Sequence, residues 1–429
     1  MTTSRRGLLR ASGIAALSGA VTGIAGPAVA QRRPAGTSNS LVTHGADVAA
    51  ADGWAMFSGR RVGIITNPTG VLHNFTSIVD DMVARGIDVG GVFGPEHGFR
   101  GTAQAGSSEP TSTDPRTGVT VYDAYGANAA RFAGFFTDAA VDVVVFDIQD
   151  VGARFYTYIW TMFAAMQAAS MTDVEFVVLD RPNPLGGRAR GPVLKSAFAS
   201  GVGQLEISQQ HGMTVGELAR FFNARFMTRT GVEPLASIEV VEVQGWKREV
   251  IVDSLEDRWV MPSPNMPTPR TATLYPGTGM FEATNMSEGR GTTRPFELVG
   301  APYGDHRWAA DLNARELGGV DFREAYFVPT FSKNQGKVCG GVQVHIMEPE
   351  EVDAIAVGTH MLVAARDLYE AFDWRGDGGR WIDLLTGSDR FRTQFEAGDS
   401  AQEIISGWQR DLRRFIVDTN RFLLYRGPR

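Results

Sequence analysis

Apolar strand patterns alternate with amphipathic helix patterns along the first 245 or so residues of this chain. Continuous apolar runs predict buried strands, and apolar residues at helical spacing predict helices. The predicted strands cover 61–66, 89–93, 118–122, 141–146, 175–179 and 238–243, and the predicted helices cover 75–85, 128–139, 157–169 and 214–227. Unbroken Val/Ile runs separated by helices are typical of a parallel sheet covered on both faces, so we expect an α/β domain with a mostly parallel sheet over 44–260.

The pattern changes after residue 260. Prolines and glycines alternate between Met261 and Gly304, which predicts a long irregular segment that covers a site. Beyond it, further patterns predict strands at 327–331 and 342–346 and helices at 352–372 and 402–415. We therefore expect a smaller α+β domain over 261–429, with its Pro/Gly-rich loop covering a cleft.

The first thirty residues have the pattern of an export signal. Arg5-Arg6 precedes a weakly apolar run, and Ala28-Val29-Ala30 supplies a small-x-small cleavage site. Paired arginines favour the twin-arginine route, with a polar tail following over 31–43. An uncleaved anchor is the alternative, but the Gly/Ala-rich run is a poor bilayer span. We expect a periplasmic, cell-wall-associated or secreted protein with no stable membrane insertion after cleavage.

Composition and charge argue against several classes of protein. The 429 residues are 43% hydrophobic, which argues against a largely disordered chain. The formal charge of −7, which would become −10 once the three arginines of the signal are removed, argues against a nucleic-acid partner. A single cysteine, Cys339, excludes an intramolecular disulfide framework and a Cys-rich zinc site.

Polar segments that contain Gly or Pro follow four of the predicted strands, at 66–70, 94–98, 147–154 and 180–184. Segments that leave the carboxyl ends of parallel strands line the ligand crevice of an open sheet. Polar turns follow strands in many proteins, but that alternative explains the Glu, His, Asp and Arg residues here less well. The candidate site residues in or beside these segments are Asn67, Glu96, His97, Asp147, Asp150, Arg154, Tyr156 and Asn183.

Glu96 and His97 lie between Gly94 and Gly98. A carboxyl held on a tight turn acts as a general acid when burial raises its pKa. A capping role is an equally good interpretation of Glu96 from spacing alone. His97 could orient Glu96, relay a proton or bind substrate, although a lone histidine is more often structural.

Further carboxylates could complete a pair of the kind that hydrolyses glycosidic bonds, with one acid and one base or nucleophile. Asp147, Asp150 and Glu288 are the candidates for the partner of Glu96. Asp150 could instead pair with Arg154. Tyr156 offers a flat face for a sugar ring, or equally packs in the core.

The Gly-rich segment 285–297 adds Glu288 and Arg290. Glycines there let the backbone approach a ligand closely. Arginine recognises carboxylates through two parallel hydrogen bonds, so Arg290 or Arg294 is a candidate for binding an anionic substrate. A solvated ion-pair surface is the alternative interpretation.

The sequence lacks a Gly-x-Gly-x-x-Gly fingerprint, a P-loop and a Gly-x-Ser-x-Gly elbow. A metal site built from Glu96, His97, Asp147 and His211 is possible in principle, but no local ligand pair supports it. We therefore expect neither a cofactor nor a metal.

Long motifs in the chain resemble the NamZ-type exo-β-N-acetylmuramidase family. The resemblance covers nearly the whole chain after the signal. The motifs are Gly63-Ile64-Ile65-Thr66-Asn67-Pro68-Thr69-Gly70, Gly94-Pro95-Glu96-His97-Gly98-Phe99-Arg100-Gly101, the run 147–158, Asp180-Arg181-Pro182-Asn183-Pro184-Leu185-Gly186-Gly187, Gln210-His211-Gly212-Met213-Thr214, Pro262-Ser263-Pro264-Asn265-Met266-Pro267-Thr268 and the run 282–291.

The resemblance implies a Rossmann-like larger domain joined to a smaller one, with the active site in the cleft between them. It implies hydrolysis of terminal, non-reducing N-acetylmuramic acid (MurNAc) from peptide-free MurNAc-GlcNAc fragments of peptidoglycan. Glu96 is then the favoured catalytic residue, with His97 tuning it or relaying a proton and Asp147 ranked first as partner. Either an aspartate or the substrate's own 2-acetamido group would stabilise the oxocarbenium-like transition state. Asn67, Asp150, Arg154, Tyr156, Asn183, His211, Glu288 and Arg290 are the expected substrate-binding residues.

Two other functions compete with this hypothesis. A non-catalytic cell-wall glycan-binding protein would bind muramyl glycans without turnover. A metal-dependent hydrolase would lose activity in the presence of a chelator.

Overall fold

The fold is taken from a computed structural model, which describes residues 42–251 and 259–427. The predicted export signal at 1–30 and residues 31–41 of the predicted polar tail lie outside the described residues. Within the described part of the chain, no helix is long and apolar enough to cross a membrane.

The strands, in chain order, are β1 (Arg61–Thr66), β2 (Asp88–Gly94), β3 (Ser112–Thr113), β4 (Thr120–Asp123), β5 (Val143–Asp147), β6 (Glu175–Leu179), β7 (Arg190–Val193), β8 (Ser208–Gln210), β9 (Glu239–Val241), β10 (Leu298–Ala301), β11 (Val320–Phe327) and β12 (Cys339–Ile346). The α-helices are α1 (Gly45–Ala51), α2 (Ile78–Ala84), α3 (Ala129–Asp138), α4 (Tyr158–Thr172), α5 (Val215–Arg225), α6 (Pro269–Thr278), α7 (His306–Asn313), α8 (Ala354–Leu368), α9 (Arg380–Thr386), α10 (Arg390–Glu396) and α11 (Ala401–Thr419).

The larger sheet has the order β3-β4-β2-β1-β5-β6-β9. All its pairs are parallel except the edge pair of β3 with β4. Counted along the chain, its parallel strands lie in the order 3-2-1-4-5-6 of a doubly wound sheet, whose ligands bind where the order reverses. That point lies between the carboxyl ends of β1 and β5, where two of the four polar segments begin, and a third begins at the neighbouring β2.

The buried strands carry the apolar runs that predicted them. Every residue of β5, Val143 to Asp147, is buried, and β1 is buried from Val62 onward. One face of the sheet packs on a cluster that includes Trp54, and the other face belongs to a larger cluster that extends into the second domain as far as Trp308. Burial on both faces accounts for the absence of alternation in these strands.

The second, smaller domain is built on the antiparallel sheet β10-β12-β11, with α6 to α11 around it. The expected α/β class, with a mostly parallel sheet and a smaller second domain, is confirmed.

The segment 261–304 is more regular than predicted. It contains α6 and β10. Thr268 caps α6 by accepting a hydrogen bond from the Thr271 N–H, and Pro269 occupies the first turn, where a missing N–H costs nothing. The second proline, Pro276, lies in the last turn. The prolines therefore mark the ends of a helix rather than a continuous loop.

The strand predicted at 327–331 is wrong, since β11 ends at Phe327. Pro329 has no N–H to donate to a ladder, and Phe331 is 45% exposed in the loop that follows. The strand itself, Val320–Phe327, was missed because its outward residues are polar.

Candidate active site

A cleft of about 630 Å³ lies between the larger sheet and the smaller domain, beside the carboxyl end of β2. Its walls come from the loop after β2, the start of α3, one face of α4 and the segment around α6. The lining residues that carry polar or aromatic groups are Glu96, His97, Tyr125, Asn128, Phe155, Tyr156, Thr157, Tyr158, Trp160, Thr161, Gln167, Gln204, Ser263, Tyr275, Glu282 and Arg290.

Glu96 is presented to this cleft by a tight turn. His97 and Gly98 both have positive φ values, 73° and 80°, and the Gly98 N–H donates to the Pro95 carbonyl at 2.9 Å. The φ of Gly98 is one that residues with a Cβ rarely adopt, and an added side chain would displace that of Glu109, so glycine is favoured there. The half-buried Glu96 carboxylate accepts a hydrogen bond from the Gly106 N–H on Oε1 at 2.7 Å.

His97 is buried beside Glu96 and has a fixed orientation. Its Nδ1 lies 3.1 Å from the Ala103 carbonyl oxygen. Because a carbonyl only accepts, Nδ1 carries the proton, and the other ring nitrogen is an acceptor while the ring is neutral.

Three tyrosines form the inner wall of the cleft. Tyr156 packs edge-on against Tyr158 at 5.3 Å and Tyr275 at 5.9 Å between ring centroids. Burial raises the pKa of all three hydroxyls, and the charge of Glu96 adds to the effect. They therefore remain protonated hydrogen-bond donors. Tyr158 donates to the Pro262 carbonyl at 2.6 Å, whereas the Tyr156 hydroxyl has no partner among the described residues.

Arg290 is the one Lys or Arg side chain among the described residues of the cleft wall. Its Nη2 lies 2.9 Å from Glu282 Oε1, its Nε lies 3.1 Å from Glu288 Oε1, and the guanidinium lies over Phe296. Burial lowers the pKa of Arg290, but Glu282 and Glu288 outweigh it, so the pKa is raised and the group stays charged. Burial also raises the pKa of the Glu282 carboxyl, against the opposing effect of Arg290.

Glu288 lies behind Arg290 rather than on the cleft wall. Its Oε2 is 2.9 Å from Lys333 Nζ, which also donates to the carbonyls of Phe281 at 2.6 Å and Thr284 at 2.9 Å. Two hydrogen bonds and one ion pair thus join Lys333 to the segment that carries Glu282 and Arg290.

Asp147 lies at the end of β5 but does not line the cleft. It is fully buried, and its two oxygens accept from Arg181 Nε at 2.5 Å and Nη2 at 2.9 Å. Burial raises the pKa of the Asp147 carboxyl, and the charge of Arg181 opposes this. This bidentate pair holds two strand ends together and leaves Asp147 no path to a substrate in the cleft.

Asp150 and His211 form a second buried pair. Asp150 Oδ2 accepts from the Gly152 N–H at 2.6 Å and lies 3.1 Å from His211 Nε2. Since His211 Nδ1 accepts from the Met213 N–H, Nε2 is the nitrogen that donates to Asp150. The charge of Asp150 contributes to the raised pKa of Tyr156, so this pair stands behind the tyrosine wall.

The other predicted binding residues hold loops. Arg154 is fully buried and donates to the backbone carbonyls of Pro192, Ile207 and Leu385. Asn67 Oδ1 accepts from the Thr69 N–H and hydroxyl, and Asn183 bridges the Leu185 N–H and the Met213 carbonyl. These three buried residues therefore stabilise the conformation of the segments that follow the strands.

The structure thus brings Glu96, His97, Tyr156 and Arg290 together in one cleft. Sequence reasoning did not single out Glu282, Tyr275 or Tyr125 as site residues. Glu282 opens the motif that contains Arg290, eight positions before it, but the sequence gives no sign that the two side chains pair. Tyr275 carries no signal, since its proline- and glycine-rich surroundings concealed α6.

The four residues considered for a metal are not assembled. Asp147 is paired with Arg181, and His211 with Asp150, away from Glu96 and His97. Within residues 42–251 and 259–427, no group of three His, Cys, Asp or Glu side chains has the arrangement to hold a metal ion.

Comparison with known proteins finds two family models that together span this architecture. Residues 62–270 match the N-terminal part of the exo-beta-N-acetylmuramidase NamZ, and residues 273–425 match its C-terminal part. The peptidoglycan beta-N-acetylmuramidase NamZ of Bacillus subtilis (strain 168) is 42% identical over 388 residues, which are 90% of this chain and 91% of that protein.

Two crystal structures have the same fold. Both are DUF1343 family proteins from Bacteroides fragilis NCTC 9343, and each alignment covers 90% of this chain and 99% of the solved chain. The TM-scores are 0.80 and 0.73, at 32% and 30% sequence identity.

Proposed function

This chain belongs to the NamZ exo-β-N-acetylmuramidase family, and we propose that the cleft around Glu96 carries out the family reaction. The protein is a glycosidase that releases terminal, non-reducing MurNAc from peptide-free peptidoglycan fragments. The observation that carries the assignment of the site is the position of Glu96: its carboxylate lines a cleft that also contains protonated tyrosines and one arginine.

Glu96 is the general acid in this proposal. Its proton passes to the glycosidic oxygen as the bond between that oxygen and C1 of MurNAc breaks. A water molecule then bonds to C1 and gives its proton to the Glu96 carboxylate, which restores the acid. The Gly106 N–H fixes one carboxylate oxygen, which aims the other at the bond. His97 lies next to Glu96 with its ring orientation set by Ala103, and we assign it a positioning role.

The group that stabilises the positive charge at C1 is the 2-acetamido group of the substrate. Two observations support this choice over an aspartate. Asp147 and Asp150 do not line the cleft, and Glu282, the other carboxyl that does, is paired with Arg290 and has a raised pKa. The Tyr156 side chain lines the cleft, and its buried hydroxyl has no protein partner among the described residues.

Arg290 recognises the lactyl carboxylate that distinguishes MurNAc from GlcNAc. Its Nε and Nη2 are held by Glu288 and Glu282, while no described residue bonds to Nη1. A substrate carboxylate that meets Nη1 would form a charge-assisted hydrogen bond in a partly buried site.

The variant Glu96→Gln tests the assignment. It keeps the hydrogen bond from Gly106 but cannot donate a proton as an acid, so MurNAc release from the MurNAc-GlcNAc disaccharide, whose leaving group needs that proton, should fall ~10²–10⁴-fold. Glu109→Gln is the matched control, because Glu109 bonds to Thr102 in the same loop region and does not line the cleft. Normal turnover by Glu96→Gln would refute the role of Glu96. Saturable glycan binding by a wild type without turnover would favour the glycan-binding alternative.

Export is part of the proposal. Arg5-Arg6, the apolar run and Ala28-Val29-Ala30 support passage by the twin-arginine route to a periplasmic, wall-associated or secreted location, where MurNAc-GlcNAc glycans occur. Replacement of Arg5-Arg6 by two lysines should retain the protein in the cytoplasmic fraction, as detected by immunoblotting. Unchanged export would contradict this route.

A further inference from the structure

A second cavity, of about 650 Å³, lies next to the cleft in the smaller domain. Its lining includes Asn285, Lys333, Asn334, Trp374 and Arg375. The side chains of one ion pair, Glu282 and Arg290, line both cavities, and among the described residues no others do.

We propose that the Glu282–Arg290 pair is the barrier that makes the enzyme exo-acting, because it closes the cleft where a sugar preceding MurNAc would have to pass. This inference rests on the proposed function. Beyond that function, it identifies the side chains that restrict cleavage to the chain end and the direction in which the glycan lies in the cleft.

The barrier is held from several sides. Arg290 lies between Glu282 at 2.9 Å and Glu288 at 3.1 Å, and its guanidinium is 5.0 Å from the Phe296 ring centroid. Glu288 is in turn bonded to Lys333 at 2.9 Å. Breaking one contact leaves the arginine bound by the others, so side-chain motion of Arg290 alone does not open the cleft.

The chemistry of the sugar fits a barrier at this place. The lactyl group of MurNAc is attached at O3, and a preceding sugar would be attached at the neighbouring O4. An arginine that meets the lactyl carboxylate therefore stands close to O4. Recognition of the acid by Arg290 and exclusion of a preceding sugar by the Glu282–Arg290 pair therefore occur at the same place.

The part of the cleft along α4 reaches the protein surface. It follows one face of α4, on which Thr157, Thr161, Ala164 and Gln167 recur at helical spacing, and it ends at the exposed Gly201 and Gln204. No described residue along this end is charged. Hydroxyl and amide groups beside an aromatic ring suit the neutral GlcNAc that follows the scissile bond.

The second cavity could hold a sugar if the barrier were absent. It offers the Trp374 ring, the amides of Asn285 and Asn334, and the Arg375 guanidinium, which stacks on Trp381 at 4.8 Å. Loss of the Glu282 side chain would join the two cavities, while Arg290 would remain bound to Glu288.

Binding measurements on a Glu96→Gln background test the barrier without requiring turnover. The two ligands are the MurNAc-GlcNAc disaccharide and the trisaccharide GlcNAc-MurNAc-GlcNAc, whose MurNAc is blocked at O4. By calorimetry, Glu96→Gln should bind the trisaccharide at least about tenfold more weakly than the disaccharide. Adding Glu282→Ala should bring the two affinities to within about threefold by strengthening trisaccharide binding.

Glu282→Gln is the matched control, because it keeps the volume of the side chain and should retain the discrimination. Equal binding of both ligands by Glu96→Gln, or unchanged discrimination after Glu282→Ala, would overturn the barrier and leave the proposed function intact. A Glu96→Gln protein that binds neither ligand would contradict the proposed function itself, and the barrier with it.

Discussion

Single side chains in the cleft are best understood from the bonds that they already make. Two nitrogens of Arg290 contact carboxylates, and no described residue bonds to the third, Nη1. The guanidinium of Arg154, in contrast, donates to three backbone carbonyls. Arg154 is fully buried and Arg290 is half-buried, and both lie in Gly-containing segments of the sequence. Their hydrogen-bond partners decide which of the two can recognise a substrate.

Arg290→Gln should reduce discrimination between substrates. A hydrogen bond to a charged group contributes about 1.5–3 kcal/mol, so kcat/KM for para-nitrophenyl MurNAc should fall ~10–100-fold while the rate for the GlcNAc analogue changes less. Arg294→Gln is the control, since Arg294 lies in the same segment, pairs with Glu297 and does not line the cleft. Equal losses for both substrates would show that Arg290 does not read the lactyl carboxylate.

The sequence predicted that Glu96 and Arg290 are site residues because each is an ionisable residue flanked by glycines in an irregular segment. It ranked Asp147 as a partner on the same logic, and the position at the strand end is as expected. The local sequence pattern does not predict that Asp147 pairs with Arg181, which is 34 positions away. Side-chain partners distant in sequence depend on tertiary packing, and that also hid the role of Glu282.

At the scale of elements, strands buried on both faces were easy to predict and the segment around α6 was not. β6 begins and ends where predicted, at Glu175 and Leu179, because its apolar run has no alternative interpretation. α6 was not predicted because its sequence contains prolines and glycines, which normally disfavour a helix but here allow close packing. Gly277 of α6 meets Gly358 of α8 so closely that an added Cβ at Gly358 would lie 2.5 Å from the Gly277 carbonyl oxygen.

Gly358→Ala should therefore destabilise the protein and displace α6, which carries Tyr275. Overpacking of this kind costs about 1–3 kcal/mol in the free energy of unfolding, measured by denaturant titration. Gly134→Ala is the control: Gly134 is also helical, but nothing lies within 4 Å of its added Cβ. That change should stabilise α3 by ~0.5–1 kcal/mol. Equal effects at the two glycines would contradict the close helix contact.

At the scale of the whole molecule, the end of the described chain returns to the larger sheet domain. Tyr425 donates its hydroxyl proton to Asp180 Oδ2 at 2.6 Å and accepts from the Val243 N–H. The Leu424 N–H donates to Glu217, which also pairs with Arg248. The C-terminal segment thus links the two domains whose junction forms the cleft.

Tyr425→Phe should destabilise the protein more at high pH than at low pH. Burial raises the pKa of the Asp180 carboxyl to about 7, above its ordinary value of 3.8, so the stability that Asp180 contributes is complete below 3.8 and is lost as the pH rises through about 7. The Tyr425 hydrogen bond favours the ionised form. Its removal should cost about 1–3 kcal/mol, with the larger loss above neutral pH. Urea unfolding of both proteins on either side of pH 7 measures this, and a pH-independent difference would contradict the account of Asp180.

The measurement that tests the central claim most directly is the product released by the wild-type protein from peptide-free glycans of defined length with MurNAc at the non-reducing end. Mass spectrometry over time should detect free MurNAc first, together with chains shortened by that one sugar. Release of internal disaccharides, or intact chains after prolonged incubation, would contradict the assignment of the cleft as an exo-acting muramidase site.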